Sequence, residues 1–213
     1  MSDMTMVICE TIQKGRAKQV KELVQQALDA GILAEQVLNE GMLAAMDIVG
    51  EKFKNNEIYV PEMLVAARAM NAGMEILKPH LAKAGVASIG KVILGTVKGD
   101  LHDIGKNLVR LMMEGKGIEV IDLGVDVPAE KFVEAHLEHG IGLIACSALL
   151  TTTMGEMKVV VDMFTEKGLR DKVKIMIGGA PITDTFREEI GADYYTSDAA
   201  SAADVARKVL EQQ

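Results

Sequence analysis

The segment 98–105, with the sequence KGDLHDIG, places the carboxylate of Asp100 close to the imidazole of His102. A histidine that binds a metal usually donates its other ring N–H to a carboxylate or a carbonyl, which fixes its tautomer and raises its basicity. One histidine and one aspartate are too few ligands for a zinc site built by the protein alone. The pair is sufficient where a cofactor supplies the rest of the metal's coordination. Gly105 permits the close approach of such a ligand where a helix begins.

The elements that position this segment are predicted from hydrophobic periodicity, which changes near residues 85–90. Before the change, apolar residues recur at helical spacing, which predicts a bundle of three or four helices. The pattern of Gly and Pro predicts where these helices end and begin: Gly31 ends one, Pro61 begins another, and Lys78-Pro79 with Gly85 ends the last. The first eleven residues are mixed polar and show no signal peptide.

After the change, short apolar segments alternate with helical patterns, which predicts five βα units and a parallel sheet covered by helices on both faces. The fold class is therefore α/β, a doubly wound Rossmann-like or flavodoxin-like sheet behind a helical bundle. We predict domains at 1–87 and 88–213, joined by a linker at Lys83 to Ile89. The predicted strands are Lys91 to Val97, Glu119 to Leu123, Ile141 to Ala145, Val173 to Ile177 and Asp193 to Tyr195. The predicted helices are Ile104 to Glu114, Pro128 to His139, Thr153 to Lys167, Thr183 to Ile190 and Ala199 to Leu210.

Polar and glycine residues gather where these strands end, at the edge where doubly wound sheets bind ligands. Segment 98–105 follows the first strand, Ser147 to Thr152 follow the third, and Gly178-Gly179-Ala180 follow the fourth. The spacing therefore brings the Asp100 and His102 pair to one rim together with a hydroxyl and two glycines.

Composition excludes several functional classes. The net charge of −8 counts against a nucleic-acid binder. The two cysteines, Cys9 and Cys146, lie in unlike contexts and indicate neither a thiolate metal site nor a disulfide scaffold. The longest apolar stretch, Ile141 to Leu150, is too short to span a bilayer. We expect a cytoplasmic protein that engages neither nucleic acid nor membrane.

The three parts of the rim, taken in order, resemble a known signature. Asp100-x-His102-x-x-Gly105 is followed after 41 residues by Ser147-x-Leu149, and after 28 more by Gly178-Gly179. This pattern is similar to that of proteins that bind cobalamin with its own base displaced and a protein histidine in its place (base-off, His-on).

The resemblance implies a role for each residue of the pattern. His102 would be the lower cobalt ligand, Asp100 and Ser147 would extend a hydrogen-bond relay from it, and the displaced nucleotide tail would lie in a slot beside the Ser-x-Leu and Gly-Gly segments. The implied cofactor-binding residues of this domain are Asp100, Leu101, His102, Asp103, Ile104, Gly105, Ser147, Leu149, Thr151, Gly178, Gly179 and Ala180.

The helical half resembles the cap of corrinoid methyl carriers and of the cobalamin module of methionine synthase. Residues 50–53 and 59–62 carry the cap pattern, which implies that Phe53 and Val60 contact the methyl side of the cofactor, with Met63 and Met70 nearby. The resemblance implies a carrier in one-carbon metabolism that does no catalysis itself. Its implied partners are a substrate-specific methyltransferase, a corrinoid:acceptor methyltransferase that serves a folate or a thiol, and a reductive activation protein.

Two other cobalamin-binding classes share the motif. A subunit of a radical mutase usually lacks the helical bundle. A cobalamin-dependent regulator needs a DNA-binding module and typically carries a Trp over the upper ligand, whereas this chain has none. A flavodoxin-like domain without cobalamin is the simplest alternative.

Individual residues also have structural interpretations. Ser147 could be a core hydroxyl, Thr151 a helix cap, and Phe53 and Val60 ordinary bundle core. Met63, Met70 and Met74 are expected to be helix packing, and Cys146 to be core. The residues expected to be solvated are His80, His136, His139, Asp103, Asp122 and Asp126, and the alternative for the three aspartates is that they are acids of the rim that face partners.

Overall fold

The computed structural model describes residues 3–85 and 89–212, which divide into two compact units. The helical unit contains residues 3–85 together with Glu114–Gly117, and the α/β unit contains residues 89–113 and 118–212. The boundary predicted between residues 87 and 88 lies outside the described residues, as does the middle of the predicted linker.

The helical unit is built from helices in an order close to the prediction. They are α1 (Asp3–Gln13), α2 (Ala17–Asp29), α3 (Ala34–Gln36), which continues through a π-helix (Val37–Leu43) into α4 (Ala44–Lys54), and α5 (Val60–Lys83). Gly31, with φ of +81°, follows α2, and Pro61 lies in the first turn of α5, both as predicted. The backbone N–H of Tyr59 donates to the Glu62 carboxylate at 3.1 Å, which caps the start of α5.

Two features of this unit differ from the prediction. Helix α1 was not predicted, although Thr5, Ile8, Cys9 and Ile12 follow helical spacing and are buried. The expected helix end at Lys78-Pro79 is wrong, because α5 continues through Pro79 to Lys83. Pro79 has no backbone N–H, so it donates no helical hydrogen bond to the carbonyl of Glu75, four residues earlier. Because Glu75 is exposed, water can hydrate that carbonyl. Gly85, with φ of +70°, follows the helix end as expected.

Methionines fill the centre of the helical unit. Met42, Met46, Met63 and Met70 are fully buried there, and their unbranched, flexible side chains suit irregular gaps between helices. A Cβ at Gly73 of α5 would lie 2.8 Å from the Cε atom of Met42, so this glycine allows the helices to approach closely. Met63 and Met70 therefore have the packing role expected of them.

The α/β unit is a five-stranded parallel sheet in the order β2-β1-β3-β4-β5, which confirms the predicted class. Its strands are β1 (Gly90–Thr96), β2 (Ile118–Asp122), β3 (Leu143–Ser147), β4 (Lys174–Gly178) and β5 (Tyr194–Thr196). Its helices are α6 (Ile104–Gly115), α7 (Ala129–His139), α8 (Gly155–Glu166), α9 (Asp184–Ile190) and α10 (Ala199–Leu210). No helix among the residues in these two units is both long enough and apolar enough to cross a membrane.

Strand β3 starts two residues later than predicted, because the residues before Leu143 form the end of α7 and its connection to the strand. Gly140 ends α7 with φ of +66°, and the carbonyl of Ile141 accepts a hydrogen bond from Nδ1 of His136 at 2.7 Å. His136 is buried and contacts the Phe164 ring edge-on, with centroids 5.7 Å apart. The expectation that His136 is solvated is therefore wrong, since its ring links the end of α7 to the sheet core.

The strand order determines where a ligand can bind. Strand β1 is the centre of the reversal, with β2 on one side and β3 on the other. In such sheets a crevice opens beyond the carboxyl ends of the two strands at the reversal, here β1 and β3. The loop that carries Asp100 and His102 begins at this crevice.

Candidate functional site

Asp100 lies at the centre of a hydrogen-bond network at the end of β1. Its side chain is fully buried, and its Oδ1 atom accepts from the backbone N–H of His102 at 3.0 Å and lies 2.7 Å from Nδ1 of the same residue. Its Oδ2 atom accepts from the backbone N–H groups of Leu149 and Leu150 at 2.8 and 3.3 Å, and from Oγ1 of Thr153 at 2.7 Å. The loops after β1 and β3 are thus joined through one carboxylate.

The network keeps this carboxylate ionised. Burial by itself would raise the pKa of Asp100, but donation from Leu149, His102 and Thr153 outweighs it and holds the pKa well below its usual range. An ionised carboxylate only accepts, so Nδ1 of His102 is the donor in the bond between them. Nε2 of His102 is then left with a free lone pair, and this half-exposed ring can bind a metal.

The hydroxyl in this network belongs to Thr153, and the prediction that Ser147 occupies this place is wrong. Among the hydrogen bonds of the described residues, none joins the Ser147 side chain to Asp100. Ser147 is the last residue of β3, whereas the turn after Leu150 brings Thr153 back over the carboxylate. The run of threonines after the strand was the available signal, but the resemblance assigned the relay hydroxyl to Ser147 and only a cofactor contact to Thr151, which is exposed.

A cavity of about 480 Å³ opens beside His102, between the start of α6, the ends of β3 and β4, and the start of α10. Most of the predicted cofactor-binding residues line it: Leu101, His102, Asp103, Ile104, Gly105, Ser147, Leu149, Gly178, Gly179 and Ala180. Asp100 lies behind this wall and Thr151 is not part of it. The remaining lining residues are mostly apolar or small, and include Leu94, Val109, Ala145, Cys146, Met176 and Ala202.

Gly179 and Gly105, at the rim, differ in the space that surrounds them. Gly179 has φ of +134°, and a Cβ there would lie 1.8 Å from the carbonyl oxygen of Ala148, so the adjacent loops themselves require it. A Cβ at Gly105 would meet no atom within 4 Å. The protein's own packing therefore leaves room at Gly105 for a ligand to approach the first turn of α6.

Apolar side chains surround the exposed imidazole. Leu101 and Ile104, on either side of His102, are 72% and 82% exposed, and Leu149 and Leu150 are also exposed on the neighbouring loop. A soluble protein rarely groups exposed apolar side chains without a binding role. The arrangement fits a large, flat and largely apolar ligand lying over His102.

A second carboxylate at this edge was predicted to be solvated, and that prediction is wrong. Asp122, at the end of β2, is 18% exposed and accepts from Nζ of Lys106 at 2.6 Å on both oxygens. Arg110 and the backbone N–H of Gly124 also donate to it, at 3.2 and 2.9 Å. Burial would raise the pKa of Asp122, but these donors, Lys106 foremost, lower it. The buried Lys106 thereby ties α6 to β2.

The cap residues belong to the helical unit. Phe53 is half-buried near the end of α4, and Val60 is 38% exposed as the first residue of α5. Tyr59, between them in the chain, is also exposed. None of these three side chains is fully buried in the bundle core, so their apolar surface is available to a ligand or a partner.

The chain is similar to known proteins over most of its length. A family model described as a B12 binding domain matches residues 90–205, and a second with the same description matches residues 7–78. Trimethylamine corrinoid protein 1 of Methanosarcina acetivorans is 44% identical over 190 residues, covering 88% of this chain and 87% of that protein. A corrinoid protein of Desulfitobacterium hafniense is 41% identical over 194 residues, covering 90% of each.

Solved structures show the same architecture. The methanol:cobalamin methyltransferase complex MtaBC of Methanosarcina barkeri matches with a TM-score of 0.86 and 29% identity, covering 100% of this chain and 81% of that one. A cobalamin-binding protein of Desulfitobacterium hafniense matches with a TM-score of 0.82 and 30% identity, covering 98% of each chain.

Proposed function

This chain belongs to the family of corrinoid proteins with B12 binding domains, and on that premise we propose that it carries a methyl group on bound cobalamin between two methyltransferases. The observation that carries the proposal is the 2.7 Å contact between His102 Nδ1 and the buried Asp100, beside a cavity of suitable size. Bound cobalamin supplies a cobalt centre that receives a methyl group from one partner and releases it to another.

We assign His102 as the lower ligand, through Nε2. Asp100 holds the ring in the tautomer that leaves Nε2 free, and Thr153 holds Asp100 from the other side at 2.7 Å. This base-off, His-on arrangement requires a place for the displaced nucleotide tail. The apolar cavity beside His102, bounded by Gly178 and Gly179, fits that need. The close packing of Gly179 against the Ala148 carbonyl gives this end of the cavity a fixed wall.

The helical unit is proposed to cover the opposite, methyl-bearing side of the cofactor. Phe53 and Val60 are the proposed contacts, supported by their partial exposure at the α4–α5 corner. The proposed domains remain 1–87 and 88–213, in keeping with family matches that begin and end on either side of that boundary.

The chain is proposed to act with separate enzymes. One is a substrate-specific methyltransferase, a second transfers the methyl group to a folate or thiol acceptor, and a reductive activation protein restores the carrier. Relatives named for trimethylamine and dimethylamine, and a structural neighbour in a methyltransferase complex, support the first partner. We place the carrier in the cytoplasm, in keeping with its free, buried Cys9 and Cys146.

The ligand assignment is tested by labelling the histidines with ¹⁵N and loading the chain with cob(II)alamin. A nitrogen ligand splits the cobalt EPR signal into a triplet with ¹⁴N and a doublet with ¹⁵N, so labelling should change the pattern. His102→Ala should abolish the histidine splitting, and His139→Ala, at an exposed end of α7, should keep it. If the labelled protein still gave the ¹⁴N triplet, the nitrogen bound to cobalt would come from the cofactor's own base. That result would contradict the assignment.

The carrier role is tested with the partner that co-purifies from the native host. A low-potential reductant such as titanium(III) citrate first converts the cobalt of the cobalamin-loaded chain to Co(I), which can accept a methyl cation equivalent. A donor with a radioactive methyl group should then leave label on the chain, and the label should leave again when the second methyltransferase and its acceptor are added. A chain that binds cobalamin but takes up no label from any methylated amine, methanol or methoxyaromatic donor would not be a methyl carrier.

A further inference from the structure

We infer that Asp126 is a positioning residue that holds the Asp100–His102 loop in place from the side opposite Thr153. The inference rests on the proposed role of His102 as lower ligand. It concerns a residue that the sequence assigned to solvent, since Asp126 is exposed and follows β2, outside the signature.

Asp126 contacts the loop with both its side chain and its backbone. Its Oδ1 atom accepts from the backbone N–H of Gly99 at 2.6 Å, and its own N–H donates to the carbonyl of Asp100 at 3.0 Å. The residue is therefore bonded to the two positions that immediately precede Leu101 and His102. A shift of this loop would break both bonds together.

The surrounding backbone extends the sheet to this point. Thr96 donates to the carbonyl of Gly124 and accepts from the N–H of Val127, each at 3.0 Å, and Val97 and Val127 form a parallel bridge. The loop after β2 thus runs beside the loop after β1 beyond the end of the regular strands. Asp126 lies at the end of this extension, where the chain of β1 turns toward His102.

The backbone conformation of Asp126 restricts which residue types can stand at this position. Its φ is +54°, a left-handed conformation that costs free energy for any residue with a Cβ and in which glycine is the unstrained choice. Aspartate tolerates this conformation better than most residues. Because the side chain is exposed, core packing does not explain why an aspartate stands here. The bond to Gly99, which itself has φ of +78°, does explain it.

Because of the strand order, the Asp100–His102 loop is contacted from two sides. Strand β1 lies between β2 and β3, so its loop is flanked by the loops of both neighbours. The β3 side holds the carboxylate of Asp100 through Leu149 and Thr153, while the β2 side holds the backbone through Asp126. A His ligand fixed to within a fraction of an ångström needs such support from its surroundings.

Two substitutions separate the carboxylate from the backbone conformation. Asp126→Asn keeps an oxygen acceptor for Gly99 and tolerates the left-handed conformation. Asp126→Gly is the unstrained choice for the backbone but removes the acceptor. Glu130→Ala, an exposed acid in the first turn of α7, is the matched control for charge.

The first measurement is amide hydrogen exchange at Gly99 in the cofactor-free chain. The loss of one exposed hydrogen bond should speed exchange in Asp126→Gly by roughly tenfold, whereas Asp126→Asn and Glu130→Ala should remain near wild type. The second is the ¹⁵N-histidine EPR pattern after loading with cob(II)alamin. Asp126→Gly should lose part of the histidine-bound fraction while keeping its urea midpoint close to that of Asp126→Asn.

The outcomes distinguish the inference from the proposed function. Unchanged Gly99 exchange in Asp126→Gly would overturn the inference without reference to cobalamin. Faster exchange with an unaltered histidine-bound fraction would show that the contact does not position the ligand, and would also overturn it. A spectrum of the wild-type protein without any histidine splitting would overturn the proposed role of His102 as lower ligand. The inference that Asp126 positions this ligand would then fail with it.

Discussion

Two carboxylates, one fully buried and one partly buried, follow or end neighbouring strands, and the protein stabilises their charges in different ways. Asp100 after β1 is held by backbone N–H groups, a hydroxyl and the ring of His102. Asp122 at the end of β2 is held by the ammonium of Lys106 and the guanidinium of Arg110. Burial opposes ionisation of both, and both nevertheless have a lowered pKa.

The difference indicates what each charge is for. At Asp122 two cations neutralise the carboxylate, so little of its negative potential remains for a ligand, and its effect is to join α6 to β2. Neutral donors leave the negative charge of Asp100 in place, directed at His102 only 2.7 Å away. A lysine in place of these neutral donors would cancel much of the negative potential that Asp100 directs at the imidazole, which is the potential that the proposed ligand role requires.

The largest expected effect comes from breaking the Asp122 side of this comparison. Asp122→Ala leaves the buried ammonium of Lys106 without its carboxylate, and should lower the free energy of unfolding by about 3 kcal/mol. Urea denaturation of the cofactor-free chain measures this loss. The histidine splitting of bound cob(II)alamin should persist in whatever fraction remains folded.

The double variant Lys106→Met/Asp122→Leu is the control for this prediction. Replacing both charges with apolar groups removes the unpaired ion and should restore most of the lost stability. A double variant as unstable as Asp122→Ala would mean that the ion pair itself, rather than an uncompensated charge, accounts for the loss.

A smaller effect is expected on the Asp100 side. Thr153→Val keeps the shape of the side chain but removes one donor from the Asp100 carboxylate, which should cost about 1.5 kcal/mol of unfolding free energy. Affinity for cobalamin should also fall, by roughly tenfold, as for other groups that orient a metal-binding histidine. Equilibrium titration of the chain with cobalamin measures the second effect.

Ser147→Ala is the matched comparison for Thr153→Val, since the family resemblance implied this role for Ser147. Its unfolding free energy should change by less than about 0.5 kcal/mol. If Ser147→Ala proved the more damaging of the two, the network seen around Asp100 would not be the one that operates.

The smallest expected effect is a change in pH dependence. Because the pKa of Asp122 is lower in the folded chain than in the unfolded one, its contribution is present above the unfolded pKa of about 4. That contribution is lost as pH falls further, through the folded pKa. The stability difference between wild type and Asp122→Asn should therefore narrow as pH falls from 5 to 3. A difference that stays constant over this range would contradict the pairing.

Spacing in the sequence was enough to predict the fold, and the family resemblance implied many of the residues that line the cavity. Alternating strand and helix patterns predicted the parallel sheet, since the central strands β1, β3 and β4 are mostly buried on both faces. The resemblance of three motifs then placed His102, Gly105 and Gly179 at one rim, because all three lie at or beyond the carboxyl ends of parallel strands.

The partners of Asp100 and Asp122 depend on turns that spacing does not describe. Thr153 reaches Asp100 only because the chain folds back after Leu150, and Asp126 reaches Gly99 only through a left-handed residue. Lys106 and Asp122 come together because parallel strands align their ends. Each pairing joins residues distant in sequence, so the exposed appearance of a single acid was a poor guide.

The apolar side chains of Leu101 and Ile104 have a consequence for how the protein is produced. Without a ligand they form an exposed hydrophobic patch on the surface, and such patches promote aggregation. Ligand binding also stabilises the folded chain by mass action, in proportion to the logarithm of ligand supply. We therefore expect the yield of soluble protein from a recombinant host to follow the amount of cobalamin in the growth medium.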